Sequence, residues 1–427
     1  METGCTPNFH CHLLLSFSIL RRGRRRMKLS KGLQKSGPSP PRAISVAALL
    51  VAAVLAFCCL RRLEFSSISY HPSRPSPEVG IWKLRNAQSQ TGILCDVTHY
   101  RYNICFVNGL TLLDPTSLTF FLLPPHHHSA TTSGDGADST GGNSSAPFTQ
   151  KLRTYPRKWE HQIMAKITEL TVTTGTPRNV TCDVVHDEAA LVFSSGGYTG
   201  NLYHEFNDGM IPLFVTSRLL AGRSAVLVIS EFRRWWGRKY AAVLRHHSRH
   251  PPIKLDDLTS THCFRGGAVV GIVSHGDMTI NPALMPNGET MLSFRAFLDE
   301  SYRAGENRVS ELGSESVRPV LVMVVRNGSR SVTNPAEVTA LAERIGFLVK
   351  IFQPTRNTDL NEAYRVINAS HAMMGVHGAG LTHFMFLRPG SVLVQVIPIG
   401  TDWVAETCFG RPAREMGLKY VPYQIKA

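Results

Sequence analysis

No D-x-D occurs anywhere in the 427 residues, so the usual device for holding manganese together with a nucleoside diphosphate is missing, and Asp256-Asp257 is a poor substitute. Walker A, H-E-x-x-H, G-x-S-x-G and a complete G-x-G-x-x-G are missing as well, which removes the standard signatures of P-loop hydrolases, zinc peptidases, serine hydrolases and dinucleotide folds. Acidic residues are few, 31 against 46 Lys and Arg. The formal charge of +15 would point to nucleic acid, but residues 1–62 carry +10 of it and the remainder only +5. Nucleic acid is therefore not an expected partner. Nor is there a second membrane-length run: Ala43–Leu60 is the one uncharged apolar stretch that approaches the ~20 residues a membrane helix needs.

That stretch follows Arg21, Arg22, Arg24, Arg25, Arg26, Lys28, Lys31, Lys35 and Arg42, and Arg61-Arg62 stands where a signal-peptide cleavage site would be. Positive charge before the span predicts an uncleaved, single-pass anchor with residues 1–42 cytoplasmic and all that follows lumenal. Residues 61–94, polar and carrying Pro72, Pro75 and Pro77, read as a stem. Five of the nine cysteines (Cys95, Cys105, Cys182, Cys263, Cys408) lie beyond the anchor without a C-x-x-C, so lumenal placement predicts one or two disulfides, Cys95 and Cys105 being the nearest pair. Sequons at Asn143, Asn179, Asn327 and Asn368 fit a glycosylated lumenal part.

Residues 124–150 are low in complexity and read as a disordered surface insertion, with His126–His128 solvated. Trp159–Leu170 has helical spacing, Ala189–Ser194 reads as a buried strand, and after Gly196-Gly197 comes a helix beginning near Asn201, followed by the strand AVLVIS. Lys239–Arg249 is basic and helix-like, with His246, His247 and His250 at its surface, and Ala268–Val273 is a further strand. Residues 95–300 thus form an N-terminal lobe. Beyond a polar linker, residues 318–427 alternate strand and helix: Val320–Val325, Asn334–Ile345, Phe347–Phe352, Asp359–Ile367, Ala372–Val376, Leu381–Leu387 and Val392–Ile397. That alternation predicts a parallel, doubly wound α/β sheet.

Two constellations carry chemistry. In G-G-Y-T-G-N-L-Y-H-E-F-N-D-G, a helix starting near Asn201 sets Asn201, His204 and Asp208 on one face, where a His and a carboxylate suit general-base work on a hydroxyl. An equally matched reading has Asn201 as a cap and His204 and Asp208 satisfying one another structurally. In A-M-M-G-V-H-G-A-G-L-T-H, a strand running into glycines and a helix offers backbone N–H groups to a phosphate. Arg326 and Arg330, just past the Val320–Val325 strand, would emerge at the same sheet edge, where ligands of open α/β sheets bind. A structural tight turn and ordinary surface arginines are the bland counterparts.

The blocks G-G-Y-T-G-N-L-Y-H-E-F-N-D-G-M-I-P-L-F, V-V-R-N-G-S-R, G-V-H-G-A-G-L-T-H-F-M-F-L-R-P-G and W-V-A-E-T-C-F-G-R-P-A-R-E-M-G-L-K-Y resemble glycosyltransferase family 61, over about Cys95–Ile425 and most closely in its plant branch of xylan arabinosyl- and xylosyltransferases. The resemblance implies a GT-B-like fold of two Rossmann-like lobes facing a cleft, a Golgi enzyme, and inverting transfer of arabinofuranose or xylose from a UDP-sugar to xylan in cell-wall synthesis. No metal or other cofactor is expected. By position, it makes His204, Asp208 and, less centrally, Glu205 the activators of the acceptor hydroxyl. Arg326, Arg330, His377, Gly378, Gly380 and Thr382 would hold the diphosphate, and Glu406 the ribose. A xylosyltransferase acting on N-glycan cores, or a silent scaffold in a complex with other glycan synthases, are the alternatives. Plant members run on past the equivalent of Ile425, so C-terminal helices crossing back to the first lobe are expected to be missing here.

Overall fold

A computed structural model describes residues 92–124, 147–177, 181–220, 224–303 and 318–426. No helix among them is long and apolar enough to cross a membrane. The expected anchor at Ala43–Leu60, all but the last three residues of the expected 61–94 stem, most of the 124–150 insertion, and the sequons at Asn143 and Asn179 lie outside the described residues, while Ile93 and Leu94, expected in the stem, already belong to the first strand. The chain divides into two compact units. The first takes in the described residues up to 303 with Asp359–Tyr364, and the second takes in the rest from 318 onward.

The first unit contains β1 (Ile93–Asp96), β2 (Ile104–Val107), β3 (Thr111–Asp114), β4 (Thr119–Leu122), β5 (Thr149–Arg153), β6 (Glu169–Thr174), β7 (Val184–His186), β8 (Ala189–Ser194), β9 (Ala225–Ser230), β10 (Ile253–Lys254), β11 (His262–Phe264) and β12 (Ala268–Val270). They form two six-stranded sheets, β1-β2-β12-β8-β9-β10 and β5-β6-β4-β3-β11-β7. β8 and β9 are buried along their whole length, and the period of two explains how each serves two layers. Ala190, Val192, Val226 and Val228 join Phe120, Leu170, Val172 and Phe264 of the second sheet in one core. The alternate residue Phe193 instead meets Trp236, and Phe214 packs on Phe294 and Phe297 of the helix Met291–Arg303. A disulfide joins Cys95 to Cys105 directly across β1 and β2, and a second joins Cys182 to Cys263.

In the first sheet, β12, β8, β9 and β10 are parallel. Chain order runs from β8 outward through β9 to β10 and then reverses to β12 on the other side, so the switch in direction lies between β8 and β12.

The second sequence reading needs correcting over Trp159–Leu170. Helix is confined to His161–Met164, because the run E-L-T-V-T-T, dense in β-branched residues, is drawn into β6 between β5 and β4. Lys239–Arg249 is likewise two helices, Arg234–Lys239 and Ala241–His247. His247 is not a surface residue in the way expected: its ring packs on Phe297, and burial pulls its basicity down to about 3.

The second unit is a five-stranded, wholly parallel sheet of β13 (Val320–Val324), β14 (Leu348–Phe352), β15 (Ala372–Val376), β16 (Val392–Ile397) and β17 (Lys419–Gln424), ordered β14-β13-β15-β16-β17. Pro335 opens the helix Pro335–Ile345, where its missing N–H costs nothing, and Gly346 closes it at φ +117°. Leu321, Met323, Phe347, Met374 and Val394 share its core. The strand order places the topological switch between β13 and β15. Both units are therefore mixed α/β: the second holds a wholly parallel sheet and the first a parallel run of four strands within a mixed one, an arrangement compatible with a Rossmann-like glycosyltransferase fold.

Candidate active site

At the C-terminal end of β8 the chain turns through Ser195-Gly196-Gly197 and enters a helix capped by Asn201, whose side chain accepts from the Tyr203 N–H at 3.1 Å. The helix is Leu202–His204, then a π-helical segment Glu205–Met210, then α-helix Ile211–Arg218. Such wide turns concentrate at functional sites. Here the turn carries three buried polar side chains, Glu205, Asn207 and Asp208, and the buried His204 stands directly before it.

Asp208 is saturated. The Arg157 Nε–H lies 3.0 Å from both carboxylate oxygens, the Tyr155 hydroxyl donates to Oδ2 at 3.0 Å and the Asn207 amide donates to Oδ1 at 2.6 Å. His204 Nδ1 is 2.7 Å from Oδ2. Burial would raise the Asp208 pKa, but the Arg157 guanidinium and His204 more than offset it and hold the carboxyl below its ordinary range. Burial likewise opposes the charge on Arg157, and Asp208 with Glu160 outweighs it, so the guanidinium binds its proton more tightly than usual. Arg157 also donates to Glu160 at 2.8 Å. Gly197, at φ +63°, permits this arrangement, since a Cβ there would fall 2.3 Å from the Tyr155 ring.

His204 Nδ1 is also 3.1 Å from Arg157 Nη2. A carboxylate only accepts and a guanidinium only donates, so Nδ1 serves one of them, and the shorter contact is with Asp208. With its proton on Nδ1, the ring presents Nε2 as a base. Tyr198 stacks on the imidazole at 4.2 Å and donates its hydroxyl to Glu160. Glu205 accepts from Gly200 N–H at 2.7 Å, Thr199 at 3.2 Å and Trp236 Nε1–H at 2.6 Å, while burial raises its pKa. Glu205 thereby ties the glycine turn to the helix, and with His204, Tyr198 and Gly196 it lines one recess.

The second unit gathers the other constellation at its switch point. β13 leads to Arg326 and Arg330, and β15 leads to His377-Gly378. Gly378 has φ +147°, and a Cβ there would stand 2.2 Å from Arg326 Nη1 and 3.6 Å from Arg330 Cζ. The glycine is what lets two guanidiniums close on the loop. Arg326 Nη1 is buried without a hydrogen-bond partner among the described residues, as is the Thr382 hydroxyl. Burial lowers the pKa of Arg326, and burial together with Arg326 lowers that of Arg330. Two facing cations with an unpaired buried N–H form a receptor for an anion. Arg330 holds a left-handed φ of +57°, a strain that side chains accept mainly where function demands it.

The expected Leu381–Leu387 helix is a 3₁₀ helix, Ala379–Phe386, so its loop N–H groups converge in a tighter turn than an α-helix would give. At Gly380 a Cβ would meet Pro354 at 3.4 Å, so close approach does not demand a glycine there as it does at Gly378. Glu406 sits in a second π-helical segment, Glu406–Gly410, ion-paired with Arg414 and beside Tyr420 rather than with the arginine pair. Asn327 is exposed between the two arginines, and Asn368 is half-buried at the end of the helix Leu360–Asn368.

Sequence reasoning missed Tyr155, Arg157 and Glu160. They lie about 50 residues upstream in T-Y-P-R-K-W-E, just past β5, where no pattern marks them, and the fold brings Tyr155 and Arg157 to Asp208 and Glu160 to Arg157.

A family model described as Glycosyltransferase 61 matches residues 202–394. The chain is 40% identical over 378 residues to a xylan glycosyltransferase of Arabidopsis thaliana, spanning 84% of this chain and 73% of that protein. The chain belongs to glycosyltransferase family 61. It is thereby a glycosyltransferase, and the family match runs from the first helical residue after Asn201 through the His377 loop. A beta-1,2-xylosyltransferase of Oryza sativa subsp. japonica is 36% identical, covering 78% of this chain and 71% of its own. An alpha-1,3-arabinosyltransferase of the same plant is 33% identical over 80% of this chain, and the match spans 56% of that relative's length.

Proposed function

We propose that this family 61 member moves a pentose, arabinofuranose or xylose, from a UDP-sugar onto xylan. Catalysis is a single displacement with inversion, in the Golgi lumen, on the far side of a type II anchor. The observation that carries the reading is the pair of guanidiniums closing on Gly378 at the switch point of a parallel sheet, in a chain whose relatives are named for transfer to xylan or of pentoses.

In this mechanism the acceptor hydroxyl oxygen attacks the anomeric carbon as the bond to the β-phosphate oxygen breaks. The hydroxyl proton passes to His204 Nε2. Asp208, with its acceptor sites filled, takes no proton: it fixes the imidazole and stabilises the imidazolium, as the carboxylate of a hydrolase triad does. Arg326, Arg330 and the loop N–H groups after Gly378 meet the charge that develops on the departing UDP. This division of labour leaves metal ions without an assigned step.

The test incubates the lumenal chain with a panel of UDP-sugars and defined xylan oligomers, read as mass shift. Transfer of a pentose residue from a UDP donor is the expected result; arabinose and xylose add the same mass, so the shift reports the class of sugar and not which of the two. Transfer of a hexose alone, or from another nucleotide, would overturn the reading.

A further inference from the structure

β16 reads V-L-V-Q-V-I, and its Gln395 is fully buried, level with Gly375 of β15. A polar amide inside an apolar parallel strand is costly unless its groups are bonded. Both ends are. Nε2 lies 2.8 Å from Nδ1 of His377, and Oε1 accepts from the Tyr420 hydroxyl on β17 at 2.6 Å. Burial and Glu406 push the Tyr420 pKa upward, so the phenol keeps its proton and needs an acceptor. Among the described residues that acceptor is Oε1, which turns the amide NH₂ toward the imidazole. Nδ1 of His377 must then accept, and the single proton of the neutral ring sits on Nε2. Burial first, and then Arg330 and Arg326, draw the ring's pKa down to about 4, which keeps it neutral.

We propose that Gln395 and Tyr420 are positioning residues that hold His377 as its Nε2–H tautomer, so that this nitrogen donates a hydrogen bond to the diphosphate gripped by Arg326 and Arg330. The proposal rests on the donor-site reading above. It gives His377 a role distinct from that of the arginines: it adds a directed donor without a third positive charge. His204 is the opposite case, held by an acceptor so that its outer nitrogen receives a proton.

Two measurements test it, using the full chain and UDP itself as the probe. The ¹⁵N spectrum of histidine-labelled protein, with His377 assigned by His377→Gln, should show Nδ1 unprotonated and Nε2 protonated at pH 7. The reverse tautomer overturns the proposal. Gln395→Glu replaces the amide donor by a carboxylate that demands Nδ1–H. UDP affinity should then fall roughly tenfold at pH 8, the worth of one charge-assisted hydrogen bond, and recover toward pH 6 as the ring protonates. The terminal phosphate of UDP itself titrates at about pH 6, so the effect is read as the ratio of variant to wild-type affinity, and a ratio that does not change with pH overturns the proposal. Tyr420→Phe guards against a folding defect in the first variant. It frees the amide to flip, so a mixture of tautomers is expected, and a pure Nε2–H signal counts against the relay. Arg326→Ala separates the two ideas: unchanged UDP affinity sinks the donor site itself, whereas lost affinity with an unaltered Gln395→Glu profile sinks only the positioning role.

Discussion

The Nε of Arg157 is 3.0 Å from each carboxylate oxygen of Asp208, and both residues are buried. A carboxylate so enclosed is an anchor for neighbouring groups. Replacing Asp208 by Ala leaves the buried guanidinium with Glu160 alone as its carboxylate partner, so we expect a loss of about 3 kcal/mol in urea unfolding, the lower end of the range for a broken buried pair. Because the folded pKa of Asp208 is depressed, the contribution of this pair is fully present above the unfolded carboxylate value of ~3.9. It is lost as pH falls through the lower folded value. Wild type and Asp208→Ala should therefore differ in stability at pH 7 and converge in acid.

Asp208→Asn keeps the volume but withdraws the charge that orients His204. Turnover should drop by about 10²–10⁴ while UDP affinity stays at the wild-type level, and His204→Ala should fall in the same range. A loss of UDP binding in either variant would place these residues on the donor instead.

Gly378→Ala is the sharpest test of the arginine cradle. Its methyl would stand 2.2 Å from Arg326 Nη1, so calorimetry should record UDP affinity reduced at least tenfold, and because φ +147° is a conformation essentially reserved for glycine the thermal midpoint should fall as well. Unaltered affinity would show that Arg326 does not reach the anion.

Arg330→Gly should separate stability from binding. Removing a side chain held at φ +57° relieves about 1 kcal/mol, so the midpoint should rise while UDP binding weakens. A fall in both would assign Arg330 to the scaffold.

The disulfides differ in reach, 81 residues for Cys182–Cys263 against 10 for Cys95–Cys105. Chain entropy predicts that a Cys182→Ser/Cys263→Ser pair destabilises more than Cys95→Ser/Cys105→Ser, by roughly 2 kcal/mol. Paired denaturation curves measure the difference.

The inner strands of the second unit were legible because a parallel strand covered on both faces is written as a nearly unbroken apolar run, as in V-L-V-M-V and A-M-M-G-V. The second sheet of the first unit was not. T-L-L-D, T-F-F-L and H-C-F are too short to show a period, and their pairing is set by partners up to about 150 residues away. His204 with Asp208 followed from helical spacing, and the arginine pair from the strand preceding it. Arg157 had no such signal, since nothing in Y-P-R-K-W-E separates a buried ion-pair arginine from a solvated one. The same limit hid Gln395, whose lone amide in V-L-V-Q-V-I is visible but whose partners, just past β15 and on β17, are not.

The wide turn at Glu205–Met210 holds more residues than an ordinary helix would need over the same rise. Deleting Gly209 would let the backbone wind normally, and because the wide turn already absorbs that extra residue, the helix on either side would keep nearly its present phase. The change would fall on the segment itself, which carries Asn207 and Asp208, and so on how the carboxylate meets Arg157. Shortening by one residue thus retunes the aim of one carboxylate while sparing the helix behind it, a change no side-chain substitution can imitate.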